Sequence, residues 1–240
     1  MLGFSLEERP AVLDIHKNTH REEVTGIMAL SIIQLTGGSL ETNAYLVADE
    51  TTKDAIVVDA PPEITDAITQ AVTDGGYTVR AIVITHGHWD HIVDVRALQD
   101  ALEAPVLTHP GVTERITHPT GTSPEPIAPG SVNREVDAGD LIEVGSHSFT
   151  VLHLPGHDPA HIALYGAGDK VFFGGDVIFP GGHGNTQITG SDQATMDNSI
   201  KRLLDIPGDV TIYPGHGAHT TFGAERTWME EHAAATERDS

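Results

Sequence analysis

VRAIVITHGHWDH, residues Val79–His91, joins an apolar strand to a turn that is rich in metal-binding side chains. Four such side chains fall within six residues: His86, His88, Asp90 and His91. Buried polar groups need partners, and four separate partners at the end of one strand are an unusual structural requirement. A bound metal satisfies them together, because imidazole nitrogens and carboxylate oxygens are common metal ligands. The stretch therefore predicts a metal site at the edge of a β-sheet.

Three further metal-binding candidates lie in turns that contain glycine. They are His157 in LPGHDPAH, Asp176 in FFGGDVIF and His216 in YPGHG. Taken alone, each has a structural explanation, as a turn histidine, a cap and a packed loop residue. Together with the first stretch they are enough for two coordination spheres. The chain has no cysteine, so thiolate ligands, thiolate catalysis and disulfides are excluded, and the ligands must be histidine and carboxylate.

The composition limits the partners of the protein. The 240 residues carry a formal net charge of −22, which repels phosphate backbones, so we expect a small-molecule substrate and no nucleic acid. No apolar run reaches the roughly 18 residues of a membrane helix, so no membrane partner is expected. The N-terminus turns acidic within seven residues and lacks the features of a secretory signal, which predicts a cytoplasmic protein. The sequence leaves the oligomeric state open.

Short strands and helices alternate along the chain, without an internal repeat or a linker. Strands are predicted at Met28–Leu35, Asn43–Asp49, Asp54–Ala60, Val79–Ile84, Pro105–Thr108, Leu141–Val144, Ser148–Leu154, His161–Tyr165, Val171–Phe173 and Val210–Tyr213. Helices are predicted within Pro61–Gly76 and at about Ile92–Leu102, Asp192–Leu204 and Phe222–Thr236. Long loops are predicted at Pro110–Gly130 and Asp176–Ser191.

This order predicts an α/β (α+β) fold, a four-layer αββα sandwich of two mixed β-sheets flanked by helices. Residues 1–25 are polar and mixed in charge, and they are interpreted as an N-terminal extension. Residues 26–240 are then interpreted as a single domain.

The set of motifs resembles the signature of the metallo-β-lactamase superfamily. THGHWDH, PGH, GGD and PGHG stand in the order of that family, and the resemblance covers about residues 30–225. It implies the αββα fold and a two-metal centre. By this resemblance one metal is bound by His86, His88 and His157, the other by Asp90, His91 and His216, and Asp176 bridges them. His161 is similar to the second histidine of the family's PGHxxGH turn and is expected to support the ligands.

The chemistry expected of such a centre is hydrolysis. Two divalent ions about 3.5–4 Å apart can share a water and lower its pKa towards neutrality. Zn²⁺ is the first expectation for both ions, with Fe or Mn as alternatives. A metal-bridging hydroxide is then the nucleophile, and Asp90 is the predicted catalytic residue, which orients the hydroxide or passes a proton to the leaving group.

The stretch from Gly175 to Glu225 resembles the short glyoxalase II-like hydrolases, which are hydroxyacylglutathione hydrolase-like proteins. One departure is Gly184–Gln187, which reads Gly-Asn-Thr-Gln where the family has Gly-Arg-Thr-Asp, so both charges are lost. Few residues follow His216, and we expect the helical glutathione-binding C-terminal domain of the full-length enzymes to be missing. Substrate contacts are predicted for Asn185, His183 and Trp89, which lie in or beside the motifs.

Several functions remain open at this point. A glyoxalase II-like thioesterase is the first hypothesis, and a lactonase or other ester hydrolase is the second. A mono-iron persulfide dioxygenase would use His86, His157 and Asp176, whereas an RNA-processing nuclease is opposed by the acidic charge. A catalytically silent binding module is opposed by the complete ligand set, because buried ionisable clusters are costly to keep without metal.

Overall fold

The computed structural model describes residues 29–120 and 123–238, so the predicted extension at residues 1–25 lies outside the described residues. Strands β1 to β14 are Leu30–Gly37, Thr42–Asp49, Asp54–Val58, Thr78–Ile84, Val106–Thr108, Arg134–Glu135, Leu141–Val144, His147–His153, Ile162–Gly166, Val171–Gly175, Ile178–Phe179, Gly182–His183, Thr211–Pro214 and Thr220–Thr221. Helices α1 to α6 are Thr65–Gly75, Trp89–Ile92, Val95–Leu102, Thr113–Thr117, Gln193–Leu203 and Phe222–Arg238. None of these helices is both long and apolar enough to cross a bilayer.

Two six-stranded sheets carry most of these strands. The first has the order β1-β2-β3-β4-β5-β6, and the second has the order β14-β13-β10-β9-β8-β7. Both are mixed: β3 to β6 run parallel in the first sheet, and β10 and β13 run parallel in the second. The other pairs in the two sheets are antiparallel.

Neighbouring residues on one strand face different core layers. In β4, Ile82 packs with residues of α1 and α3, whereas Val83 packs in the layer between the two sheets. In β10, Phe173 lies in that same middle layer, whereas Phe172 packs with Met196 of α5 and with residues of α6. Successive side chains on a strand point to opposite faces, so both faces of each sheet are buried. The arrangement is the predicted αββα sandwich, which is confirmed.

The parallel strands bring several polar residues to one edge. Asp59 directly follows β3, and Asp176 directly follows β10. His86 lies two residues after the end of β4. The two sheets meet at this edge, where the backbone N–H of Asn43 donates to the carbonyl of Gly215 at 2.7 Å. Carboxyl ends of parallel strands gather at the same edge of a sheet, so the topology itself assembles the site.

The structure differs from the sequence prediction at four places. The helix predicted from Ile92 begins at Val95 as α3, and a separate short helix, α2, ends at Ile92. Between them, the Asp94 carboxylate accepts the backbone N–H groups of Ile64 and Thr65 at 3.0 and 3.1 Å. The predicted loop Pro110–Gly130 contains α4, and the loop at Asp176–Ser191 contains the hairpin of β11 and β12. The short strand β6 was also absent from the prediction.

Candidate metal centre

The seven side chains predicted to bind metal meet at this edge of the sandwich. Their ligand atoms form three triplets, and within each triplet all atoms lie within 4.8 Å of one another. The triplets are His86–His88–His157, Asp90–His91–His216 and His86–His91–Asp176. The first two match the two ligand sets that the family resemblance implies. The third combines Asp176 with one histidine of each set.

Asp176 lies between the two ligand sets. Its Oδ2 is 3.3 Å from Nε2 of His157 and 3.5 Å from Nε2 of His216. Its Oδ1 is 3.4 Å from Nε2 of His91. One carboxylate therefore faces histidines from both sets, which is the position that a bridging ligand needs.

The imidazole rings of the centre are steeply inclined to one another. The planes of His86 and His88 meet at 87°, and those of His88 and His157 meet at 88°. His91 and His216 meet at 83°. A ring nitrogen binds metal through a lone pair in the plane of its ring, so inclined rings can direct their lone pairs at one shared position.

Four polar atoms of the centre are buried without a hydrogen-bond partner among the described residues. They are His86 Nε2, His91 Nε2, His157 Nε2 and Asp176 Oδ1. A buried polar group without a partner costs about 1–3 kcal/mol. Divalent cations would serve as partners for all four atoms, and the nitrogen and oxygen donors fit Zn²⁺, Fe or Mn. The residues present therefore fit the metal ions that the fold family implies.

The electrostatics of the centre also favour a bound cation. Asp59, Asp90 and Asp176 are buried, and among the described residues no lysine or arginine forms an ion pair with them. Burial acts to raise the pKa of Asp176, but His91 and the other neighbouring histidines hold that pKa well below its usual range. Burial acts to lower the pKa of His91, but Asp176 and Asp59 outweigh it and raise that pKa well above its usual range. Protons thus compete with metal for this cluster, and metal binding would release them.

The same competition appears at the second ligand set. Burial opposes ionisation of Asp90, but the hydrogen bond from His216 outweighs it and lowers the pKa of Asp90 to about 2. The two carboxylates outweigh burial at His216 and raise its pKa to about 10. In the first set, burial lowers the pKa of His88 to about 4. His88 is therefore a neutral donor at neutral pH, as metal ligation requires.

Three ligand histidines are fixed through their second ring nitrogen. Nδ1 of His157 lies 2.8 Å from the carbonyl oxygen of Asn185, and Nδ1 of His216 lies 3.0 Å from that of Leu40. Nδ1 of His91 lies 2.9 Å from the carboxylate of Asp59. Such bonds place the proton on Nδ1 and leave Nε2 free for metal, which is the usual arrangement around metal-ligating histidine.

Asp59 is a residue of the centre that sequence reasoning missed. It directly follows the apolar strand β3, is 2% exposed and accepts hydrogen bonds from the backbone and hydroxyl of Thr85. Its backbone φ is 62°, a left-handed conformation that a non-glycine residue seldom adopts. An acidic residue at the end of a strand that neighbours the His86 strand was the signal available in the sequence.

Thr42 was missed as well. It begins β2, is fully buried, and its hydroxyl donates to Oδ2 of Asp90 at 2.8 Å. Because β2 runs antiparallel to β3, its first residue lies at the same edge as the carboxyl end of β3. The hydroxyl therefore orients the predicted catalytic carboxylate.

His161 supports Asp176 by accepting a hydrogen bond from its backbone. The backbone N–H of Asp176 donates to Nε2 of His161 at 3.0 Å, and the His161 ring stacks on His86 with centroids 4.8 Å apart. Burial, followed by the charge of His157, lowers the pKa of His161 to about 3, so this ring accepts as the neutral form. The ring also explains Gly175, which has φ 47°, because a Cβ there would lie 2.7 Å from Nε2 of His161.

The three predicted substrate contacts lie in different surroundings. Trp89 lines a cavity beside His88. Asn185 contacts the centre through its backbone carbonyl, whereas its side chain accepts the N–H of Gln187. His183 packs against Trp228 of α6, with ring centroids 6.3 Å apart. The substrate roles of all three stay predictions.

Comparisons with known proteins agree with this geometry. The model of the metallo-beta-lactamase superfamily matches residues 37–216. The hydroxyacylglutathione hydrolase GloC of Haemophilus influenzae is 30% identical over 210 residues, which cover 83% of this chain and 95% of GloC. The crystal structure of BLEG-1 B3 metallo-beta-lactamase has a TM-score of 0.73 at 29% identity and covers 82% of this chain and 96% of its own. TTHA1623, crystallised in a di-iron-bound form, has a TM-score of 0.67 at 34% identity, with 80% and 96% covered.

Proposed function

The chain belongs to the metallo-beta-lactamase superfamily of hydrolases, and on that premise we propose that it is a two-metal thioesterase acting on an acyl-thiol ester. The observation that carries the proposal is the group of four unpartnered buried atoms inside the two ligand sets. The likeness to GloC, named a hydroxyacylglutathione hydrolase, supports a thioester as the substrate class because it extends over 95% of that enzyme.

The proposed centre divides its residues between two ions. The first would be held by His86, His88 and His157, the second by Asp90, His91 and His216, and both by Asp176. Zn²⁺ is the proposed metal, and the di-iron form of TTHA1623 makes iron the alternative to test. When bound, the ions supply a water of lowered pKa and polarise the carbonyl oxygen of the ester.

Asp90 is proposed to handle the proton of the attacking water. Its low pKa keeps the carboxylate ionised at neutral pH, and Thr42 occupies Oδ2 with a hydrogen bond of 2.8 Å. No hydrogen bond from the described residues reaches Oδ1. Oδ1 can therefore accept a hydrogen bond from the water, orient it and relay its proton to the departing thiolate.

The surrounding bonds keep the site rigid during the reaction. Asp59 and the backbone carbonyls of Asn185 and Leu40 fix the orientation of three histidine rings. Preorganised ligands and dipoles need little reorganisation as charge develops in the transition state. The chain thus supplies position and proton transfer, and no protein nucleophile is required.

The test combines metal analysis with a substrate screen. The native protein is analysed for Zn and Fe per chain, and hydrolysis is measured for S-lactoylglutathione, for neutral thioesters and for a panel of lactones. We expect about two metal ions per chain and thioester turnover, which Asp90→Ala lowers by roughly 100-fold or more. The matched control is Asp100→Ala, because Asp100 is an exposed carboxylate paired with Arg96 on α3.

Different failures point to different functions. Lactone turnover without thioester turnover would indicate the ester hydrolase. One iron per chain with oxygen consumption on a persulfide would indicate the dioxygenase. Full activity in Asp90→Ala would remove the role assigned to that carboxylate.

A further inference from the structure

A cavity of about 480 Å³ opens beside the metal centre. His88 lines it on the metal side, together with Trp89 from the same turn. Ile92, Pro126 and Ile127 add apolar surface, and Thr120 and Ser123 add polar surface. A group of the substrate can enter this space while its scissile carbonyl lies at the metal centre, because His88 belongs to both.

The arginine in the cavity wall is already neutralised. Arg115 of α4 donates through both terminal nitrogens to the carboxylate of Asp158, one of these bonds measuring 2.9 Å. Asp158 is 1% exposed and follows the ligand His157 directly. A bidentate pair of this kind is among the stronger ion pairs, so the guanidinium is committed to Asp158. Arg115 therefore does not offer the cavity a free positive charge.

A second charged residue of the wall is negative. Glu125 lines the cavity, and no arginine, lysine or histidine of the described residues forms an ion pair with its carboxylate. With Arg115 balanced by Asp158, the protein charge that remains in the wall is that of Glu125. The whole chain, at −22, adds repulsion of the same sign.

We propose that this cavity takes an uncharged group of the substrate and discriminates against thioesters that carry a carboxylate there. The inference rests on the proposed thioesterase function and adds the substrate class to it. An anionic group would lose part of its hydration in the cavity and share the space with the carboxylate of Glu125, whereas the guanidinium of Arg115 is already paired with Asp158. A neutral alkyl or aryl group has no charge to desolvate and gains free energy from burial against Trp89 and Ile127.

The size of the cavity supports a group larger than a lactoyl residue. Pockets of roughly 300–1,000 Å³ bury whole small ligands. A volume of about 480 Å³ therefore accepts a branched or aromatic substituent beside the scissile carbonyl. The enzyme should accordingly gain in kcat/KM as a neutral substituent grows from methyl to phenylethyl.

The experiment uses pairs of thioesters that have the same number of carbon atoms and differ in whether the chain ends in a methyl group or in a carboxylate. On the acyl side the pair is pentanoyl and glutaryl N-acetylcysteamine. On the thiol side it is the acetyl thioesters of ethanethiol and mercaptoacetate. We expect the neutral member of at least one pair to have a kcat/KM at least about 10-fold higher, because like charges facing each other in a site are strongly disfavoured. The responding pair identifies the end of the substrate that enters the cavity.

Two matched variants then test the cause. Glu125→Gln should reduce the neutral-to-anionic ratio about 5-fold, because it removes the charge of a residue that lines the cavity. Glu114→Gln removes an equal charge from an exposed position on α4, and should leave the ratio unchanged. Thioester hydrolysis without charge discrimination, or an equal response to both variants, overturns this inference and leaves the thioesterase function standing. Absence of any thioester hydrolysis overturns both.

Discussion

Each triplet of the metal centre brings its ligand atoms within 4.8 Å of one another, and so does a second group of side chains, His109, Asp137 and His153. In this second group, which we call the stacked-histidine cluster, the two rings are almost parallel, at 17° with centroids 4.4 Å apart. In the metal centre, two ring pairs of comparable spacing are close to perpendicular, and His86 and His91 are tilted by 50°. The in-plane lone pairs of nearly parallel rings lie in nearly parallel planes, so they do not converge on a single ion.

The two groups also differ in how their polar atoms are satisfied. In the stacked-histidine cluster, Nδ1 of His109 accepts the backbone N–H of Gly111, and Nε2 of His153 lies 2.9 Å from the carbonyl oxygen of Pro159. The Asp137 side chain is 65% exposed, so water solvates it. None of the three appears among the buried atoms without a partner. Both groups therefore bring ligand atoms close together. The metal centre, in contrast, contains buried nitrogen and oxygen atoms without a hydrogen-bond partner.

The largest difference is expected when each group loses its carboxylate. Asp176→Ala should remove metal and lower thioester kcat/KM by roughly 1,000-fold, a loss of about 4 kcal/mol of transition-state stabilisation. Asp176 is the carboxylate that faces histidines of both ligand sets. Asp137→Ala should leave metal content and activity within about 2-fold, because solvent already satisfies that group. Elemental analysis and steady-state kinetics on both variants make the comparison, and equal losses would erase the distinction.

The sequence alone was enough to predict which residues meet in the metal centre. The spacing of the THGHWDH turn and the glycine-containing turns identified all seven, since each follows a strand that the hydrophobic pattern also predicts. The sequence did not identify Asp59 or Thr42, because a single polar residue beside a strand has many structural explanations. The carbonyls of Leu40 and Asn185 were beyond its reach, because backbone atoms contribute there whatever the side chain is.

Arg115 shows why the cavity could not be foreseen. It lies in α4, a helix of five residues within a stretch rich in Pro, Gly and Thr that predicts a loop. Helices this short are unstable alone and form only through tertiary contacts. The contact with Asp158 spans 43 residues of sequence, and no local pattern announces it.

Metal removal should produce the next largest effect. Dialysis against a chelator should lower the melting temperature of the native protein by about 5–10 °C, because a ligand present at 100 times its Kd stabilises by about 2.7 kcal/mol. The shift should persist in His109→Ala and disappear in Asp176→Ala. Differential scanning calorimetry measures it. A shift that is lost in His109→Ala would place a structural ion in the stacked-histidine cluster instead.

Asp59→Asn should weaken the metal centre by a smaller factor. Loss of the negative charge at Nδ1 of His91 should reduce metal affinity by about 10- to 100-fold, as for other carboxylates that orient a ligating histidine. The matched control is Asp169→Asn, because Asp169 contacts Nδ1 of His147 at 2.8 Å, a similar pair away from the centre. Competition with a chelating dye gives the affinities. If both variants lost metal equally, the effect would reflect stability and not ligand orientation.

The smallest effect concerns the proton affinity of the stacked-histidine cluster. Burial and the neighbouring His153 lower the pKa of His109 below its usual value. A histidine whose pKa is lowered on folding stabilises the fold above its unfolded pKa, about 6.5, and that contribution is lost as pH falls below it. Histidine NMR signals should therefore show His109 titrating below pH 6.5, with or without added zinc. In His153→Ala the pKa should rise towards 6.5, because the neighbouring ring is removed. A titration abolished by zinc would mean that the cluster binds metal after all, and ring orientation would then lose its value for telling the two groups apart.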